Sequence, residues 1–341
     1  MRTLIPRQRL DVHRRVVAPF RVGASTAFVV VVIASVTTAC GPTSTEATPG
    51  SSATATTATA RATATATTTT QPPALRISSG RPYATHTAEV AAQRTADDGS
   101  ARSLLTTVWS PNGDGPFPVI AFAHGNAGHP RKFSRLFAAW SEAGYVVVAP
   151  RFPVSADDAD RDLPAALRDA PQQPTDLAFV LGLAIAGDLT PELPAGRIDP
   201  KRIAVAGLSL GGGTALALAF GDCCPTLKPS VVIAMSPLRF PAVIPDGRVP
   251  LVLIHGDADG TLPYADSVAL DAAASGRRWF ITLTGASHSP PYEDSTSAHD
   301  GLIPSITVAF LDALVLDDAT ALERAVDHIE TSGIATVASH E

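Results

Sequence analysis

The sequence predicts an α/β protein built on a mostly parallel, doubly wound sheet with helices on both faces. Three observations lead there. Short apolar runs recur at Val119–Ala123, Tyr145–Ala149, Ile203–Ala206, Val231–Met235, Leu251–Ile254 and Trp279–Leu283, and they are continuous rather than alternating, as strands covered on both faces require. Amphipathic segments of helical period lie between them, near Phe133–Ala143, Asp176–Ile185, Gly211–Phe220 and Ala265–Ala274. Thr85–Val90 and Leu104–Trp109 alternate instead, which suits antiparallel strands at a sheet edge, and Ile303–Leu316 and Thr320–Ile329 read as closing helices. One domain accommodates all of these elements.

Ahead of that domain the composition divides the chain. Residues 1–21 carry six Arg against Asp11 alone, and an uncharged apolar stretch follows to Val36 and the small residues before Cys40. Basic, apolar and small-residue regions in that order read as an export signal over 1–40. Ala39-Cys40-Gly41 resembles a bacterial lipobox, although Thr37 stands where an aliphatic residue is usual. That resemblance implies lipidation of Cys40 and an extracytoplasmic, lipid-anchored or secreted protein; an uncleaved signal anchor is the alternative. Residues 41–74, almost all Thr, Ala, Ser and Pro, cannot bury enough surface to offset the entropy of ordering and read as a linker, leaving 75–341 as the folded domain. With +5 of charge at the N-terminus and −6 overall, the rest is strongly acidic, which argues against nucleic acid as a partner.

The chemistry-bearing positions fall at the ends of the predicted strands. Gly207-Leu208-Ser209-Leu210-Gly211 follows one apolar strand and opens a helix, the context in which G-x-S-x-G presents a nucleophile. The glycines supply space, since a side chain at 207 or 211 would collide where strand and helix close on each other. Ser209 is thereby set at a helix N-terminus, where a developing anion is favoured. His124-Gly125-Asn126-Ala127-Gly128 follows the strand ending at Ala123, with His124 read as holding the loop. His255-Gly256-Asp257-Ala258-Asp259 follows a late strand and offers two carboxylates; Thr284-Gly285-Ala286-Ser287-His288 follows the last one and offers an imidazole, with His255 and His299 as rivals. The order Ser209, Asp259, His288 is that of the α/β-hydrolases.

On these motifs, together with Tyr145–Pro150 and Gln173-Pro-Thr-Asp176, residues 80–316 resemble the dienelactone-hydrolase-like and chlorophyllase-like esterases of the α/β-hydrolase superfamily, and more distantly the bacterial cutinases and platelet-activating-factor acetylhydrolases. Dienelactone hydrolases use Cys where this chain has Ser209, so the resemblance implies a serine esterase. It implies Ser209 as nucleophile, His288 as base, Asp259 (by its G-x-x-D spacing) rather than Asp257 as orienting acid, and an oxyanion hole from the amides of Asn126 and Leu210. No metal and no cofactor is expected. A serine peptidase or other acyl hydrolase on the same fold and a catalytically silent surface module are the competing functions. Only residues 236–249 separate the strand ending at Met235 from the next, too few for a helical lid. An open cleft is therefore expected, bordered by Phe152, Pro153, Pro237, Leu238, Tyr264 and Pro290–Tyr292, with 156–169 as a partial cover, and suited to small-molecule, lipid or polymer esters. Cys223 and Cys224 are candidates for a vicinal disulfide in an exported protein, two separate thiols being the alternative.

Overall fold

The computed structural model describes residues 82–159 and 162–341. The export signal, Cys40, the linker and the start of the domain lie outside the described residues.

Among the described residues, nine strands form one sheet: β1 (Thr85–Thr95), β2 (Ala101–Pro111), β3 (Phe117–Ala123), β4 (Val146–Pro150), β5 (Ile198–Leu208), β6 (Val231–Met235), β7 (Leu251–Gly256), β8 (Arg278–Leu283) and β9 (Ala335–His340). Their spatial order is β1-β2-β4-β3-β5-β6-β7-β8-β9. The strands from β4 to β8 pair in parallel, while β1, β2 and β9 run antiparallel at the two ends. β3, β4, β6 and β7 are buried along their whole length, which is why their sequences are continuous apolar runs. Residues of one strand divide between two cores. Ile120 and Phe122 join Trp140, Ile306 and Phe310 on one face, whereas Val119, Ala121 and Ala123 join Val180, Leu216 and Leu270 on the other.

The first core is closed by α1 (Ser134–Glu142), α6 (Leu302–Val315) and α7 (Ala319–Ser332), the second by α3 (Gln173–Ala186), α4 (Leu210–Phe220) and α5 (Tyr264–Ala273). Residues 236–250 between β6 and β7 contain no helix, so a large lid is absent at that position. Two elements depart from the sequence expectation. The segment expected as a partial cover over 156–169 contains α2 (Leu163–Asp169), started by Asp162, whose Oδ1 accepts from the Ala165 amide at 2.9 Å. β9 follows the closing helices as an edge strand on β8; it is half exposed and carries Thr, Ser and His, so its apolar signal is weak.

The edge hairpin is tied to the helical layer by charge as well as by the apolar contacts of Ala92, Leu104 and Val108. Asp176 on α3, fully buried, accepts from Arg94 Nε of β1 at 2.6 Å and from Arg102 Nε and Nη2 of β2 at 2.8 and 2.5 Å. Arg102 also pairs with Asp169 at 2.6 Å, and Arg94 Nη2 reaches Gln172 Oε1 at 2.9 Å. Two guanidinium groups are thus held largely out of water against two carboxylates. Removing the shared partner leaves buried cations without compensation. Asp176→Ala is expected to cost about 3–5 kcal/mol of folding stability, measured by urea denaturation, with the edge hairpin the first region to lose amide-exchange protection.

Candidate active site

The sheet order reverses at β3: β4 lies on one side of it and β5 on the other. At such a switch point the loops leaving adjacent strands diverge and open a crevice beyond their carboxyl ends, where α/β sheets bind ligands. The loops carrying His124–Gly128 and Ser209 leave β3 and β5, one from each side of the crevice.

Ser209 has φ 59° and ψ −122°, a backbone conformation costing a side-chain-bearing residue on the order of 1–3 kcal/mol. The turn is held by the Ser209 amide donating to Met235 O at 2.9 Å, and by the Leu238 and Gly213 amides donating to Ser209 O at 2.8 and 3.0 Å. Its flanking glycines have no room for a side chain. A Cβ at Gly207 would stand 2.2 Å from Gly211 O, and one at Gly211 would stand 2.0 Å from Ala123 O. Leu210 is the first residue of α4, so its amide has no acceptor within the helix and faces outward from the N-terminus.

Across the crevice, Gly125 and Gly128 close a turn through a 3.1 Å hydrogen bond, with Ala127 at φ 51° and Asn126 exposed. A Cβ on Gly125 would lie 3.1 Å from Ser209 Cβ and 3.6 Å from its Oγ, so this turn directly adjoins the serine. His124, fully buried, is the clamp beneath it. Its Nδ1–H donates to Gly125 O at 2.7 Å, and Nε2 accepts the Phe152 amide at 3.0 Å, which assigns the neutral tautomer. Lys132 Nζ donates to Ala127 O at 2.8 Å from the far side.

The loops carrying Asp259 and His288 follow β7 and β8. They approach so closely at Gly256 that a Cβ there would meet Ala286 O at 2.2 Å. Asp257 braces the pair, its Oδ1 accepting the Gly285 amide at 2.7 Å. Asp259 is the carboxylate that meets His288: Nδ1–H donates to Oδ2 at 2.6 Å, while the Thr261 and Leu262 amides donate to Oδ1 at 2.8 and 2.9 Å. Burial alone would raise this carboxyl's pKa, but the bonds from His288, Leu262 and Thr261 outweigh it and leave it below the ordinary range. His299 lies elsewhere, its Nε2 donating to Ile334 O at 3.1 Å. His255 does enter the site from below: its Nε2 lies 3.0 Å from the same Asp259 oxygen, a contact that its position beside the acid loop did not reveal.

The expected cleft walls are corrected in part. Phe152 is fully buried, its ring 5.0 Å from that of His124. Tyr292 is 2% exposed, with its hydroxyl 3.1 Å from Ser236 Oγ and 3.4 Å from Ile254 O. Tyr264 stacks on Phe280 at 5.6 Å and bonds Thr282 Oγ1 at 2.6 Å, so it supports the acid loop from outside. Pro237 and Pro291 are buried as well, whereas Pro153 is exposed and Pro290 half-buried. Leu238 is half-buried and packs with Phe240, Leu210, Ala166 and Ala170 beside the serine turn. Loop length predicts where a cleft opens but not which way each side chain turns. An apolar hollow of about 370 Å³ adjoins that cluster, lined by Leu167, Ala170, Pro174, Ala217, Phe240 and Val243. Cys223 at its rim and Cys224 beside it are free thiols. Adjacent Cα atoms lie about 3.8 Å apart, shorter than ordinary disulfide geometry, so a bridge between these two would be strained. Among the described residues, no group of three or more His, Cys, Asp or Glu converges as metal ligands would.

A nine-stranded, mostly parallel sheet flanked by helices, with a strained serine turn at its switch point, defines an α/β-hydrolase fold. A family model described as Chlorophyllase matches residues 77–253, a little over half of the chain, and the chain belongs to that family. Membership makes it a hydrolase of the kind that acts on esters. The match spans the Asn126 and Ser209 loops and stops before Asp259 and His288, whose pairing rests on geometry. No curated protein matches the chain.

The buried clamp has a pH consequence. Burial pushes His124 from its ordinary 6.5 down to about 4. Between those values the unfolded chain binds a proton that the folded protein does not, so stability is retained above pH 6.5 and falls as pH drops toward 4. The full loss assigned to this ring is roughly 3 kcal/mol. Urea denaturation of the wild type and His124→Asn should show the stability gap between them narrowing by roughly 2–3 kcal/mol from pH 7 to pH 4.5.

Proposed function

We propose that this chain is a serine hydrolase of carboxylic esters that works through an acyl-enzyme on Ser209. The observation that carries the proposal is the 2.6 Å hydrogen bond from His288 Nδ1 to Asp259 Oδ2, beyond the same sheet edge at which Ser209 is held with positive φ. With Nδ1 engaged, Nε2 is the nitrogen available to take a proton, and ionised Asp259 stabilises the imidazolium that results. Ser209 Oγ attacks the ester carbonyl carbon and gives its proton to His288, while the amides of Asn126 and Leu210 receive the oxyanion. The alcohol leaves with the proton from His288; water then attacks the acyl-enzyme with His288 again as base.

The half-buried Leu238 and the apolar surface around it favour esters with apolar acyl or alcohol groups, including lipid and polymer esters. The proposal also places the domain outside the cytoplasm on a lipid or peptide tether. Support for that is the basic, apolar and small-residue order of residues 1–40.

Hydrolysis of p-nitrophenyl esters of increasing acyl length tests the reading. Ser209→Ala should lower kcat by at least about a thousandfold and abolish labelling by a fluorophosphonate, with stability unchanged or improved because the strained turn loses no contact. A folded wild-type protein that neither hydrolyses these esters nor takes the label would overturn it.

A further inference from the structure

His255 is fully buried, and so is the Asp259 carboxylate it meets. Asp259 is ionised and can only accept, so the 3.0 Å contact assigns the ring proton to His255 Nε2, which also lies 3.3 Å from Leu262 O. Nδ1 is then an acceptor, and the buried Ser267 hydroxyl of α5 donates to it at 2.6 Å. Around the ring stand Asp259, Ser267, Leu262 O and the edge-on Tyr264 ring at 5.8 Å, and His288 meets the same Asp259 oxygen. Burial pushes the His255 pKa down, in keeping with a neutral ring that donates through one nitrogen only.

We propose that His255, oriented by Ser267, is a positioning residue for the catalytic acid, an inference that rests on the roles of Asp259 and His288 proposed above. The same oxygen, Oδ2, receives both imidazoles, while Oδ1 receives two backbone amides. Rotation of the carboxylate about its Cβ–Cγ bond would break all four bonds. The carboxylate is thereby held in the orientation that meets His288 Nδ1, and the relay runs Ser267, His255, Asp259, His288. His124 offers the contrast: it is equally buried, but both of its nitrogens go to backbone groups.

The test is a double-mutant cycle on the full chain with p-nitrophenyl butyrate, reading kcat and KM separately. His255→Leu should lower kcat by about 10- to 100-fold with KM changed less than about twofold, the pattern of misplaced catalytic groups. His255→Gln, which keeps an N–H at similar reach, should recover to within about threefold of wild type. On an Asp259→Ala background the His255→Leu loss should vanish, because there is no carboxylate left to position. Ser267→Ala, a milder change suited to the case in which His255→Leu fails to fold, should lower kcat by roughly threefold or more on the wild-type background and not on Asp259→Ala. A kcat that is unchanged in both variants, or an equal loss on both backgrounds, overturns the inference. If Asp259→Ala itself keeps wild-type kcat, the triad reading has failed instead.

Discussion

The site depends on how closely three backbones can approach. Ser209 can stand at the head of α4 with positive φ only because Gly207, Gly211 and the carbonyl of Ala123 occupy space that no side chain shares. That contact brings the carboxyl ends of β3 and β5 together where the sheet order reverses, and the crevice follows from it. The strain at Ser209 is maintained by hydrogen bonds from three directions, to Met235 and from Leu238 and Gly213. A loosened turn would release the serine into an ordinary helix N-terminus, with its hydroxyl withdrawn from the crevice.

A second constraint is electrical. The buried polar groups around the site are each satisfied by a partner chosen by geometry. His124 resolves this with two backbone bonds and stays neutral. Asp259 resolves it with two amides and two imidazoles and stays ionised. The same logic holds far from the site, where Asp176 neutralises two buried arginines and fastens the edge hairpin to the helices. In each case a charge or dipole that would be costly alone becomes a locator for the element that bears it.

Where sequence and structure agree, the agreement has a local cause. Strands covered on both faces must be apolar throughout, so β3, β4, β6 and β7 are legible as apolar runs, whereas only the buried second half of β5 is. Among the helices between them α1 shows its period, whereas α4 is buried on nearly every side; Gly207, Ser209 and Gly211 are legible because a strained turn admits few residue types. β9 and α2 were less so: an edge strand has no second face to cover, and α2 has Leu163 and Leu167 half exposed where a helix of clear pattern would bury them. The cleft walls were read from loop length, which carries no information about rotamers, and Phe152 and Tyr292 turned inward to fill the core.

By itself the sequence determined the order of elements, the serine turn with its glycines, and the loops on which a carboxylate and an imidazole would be offered, because each of these is imposed by interactions within a few residues. Tertiary structure decided which partners meet. Asp257 and Asp259 are two residues apart and chemically identical, yet one binds a backbone amide of the neighbouring loop and the other binds His288. His255 is held against Asp259 with Ser267 of α5 on its other nitrogen. The G-x-x-D spacing of the resembling family already favoured Asp259 over Asp257, but the contact of His255 depends on distances between segments remote in the chain, which periodicity does not encode.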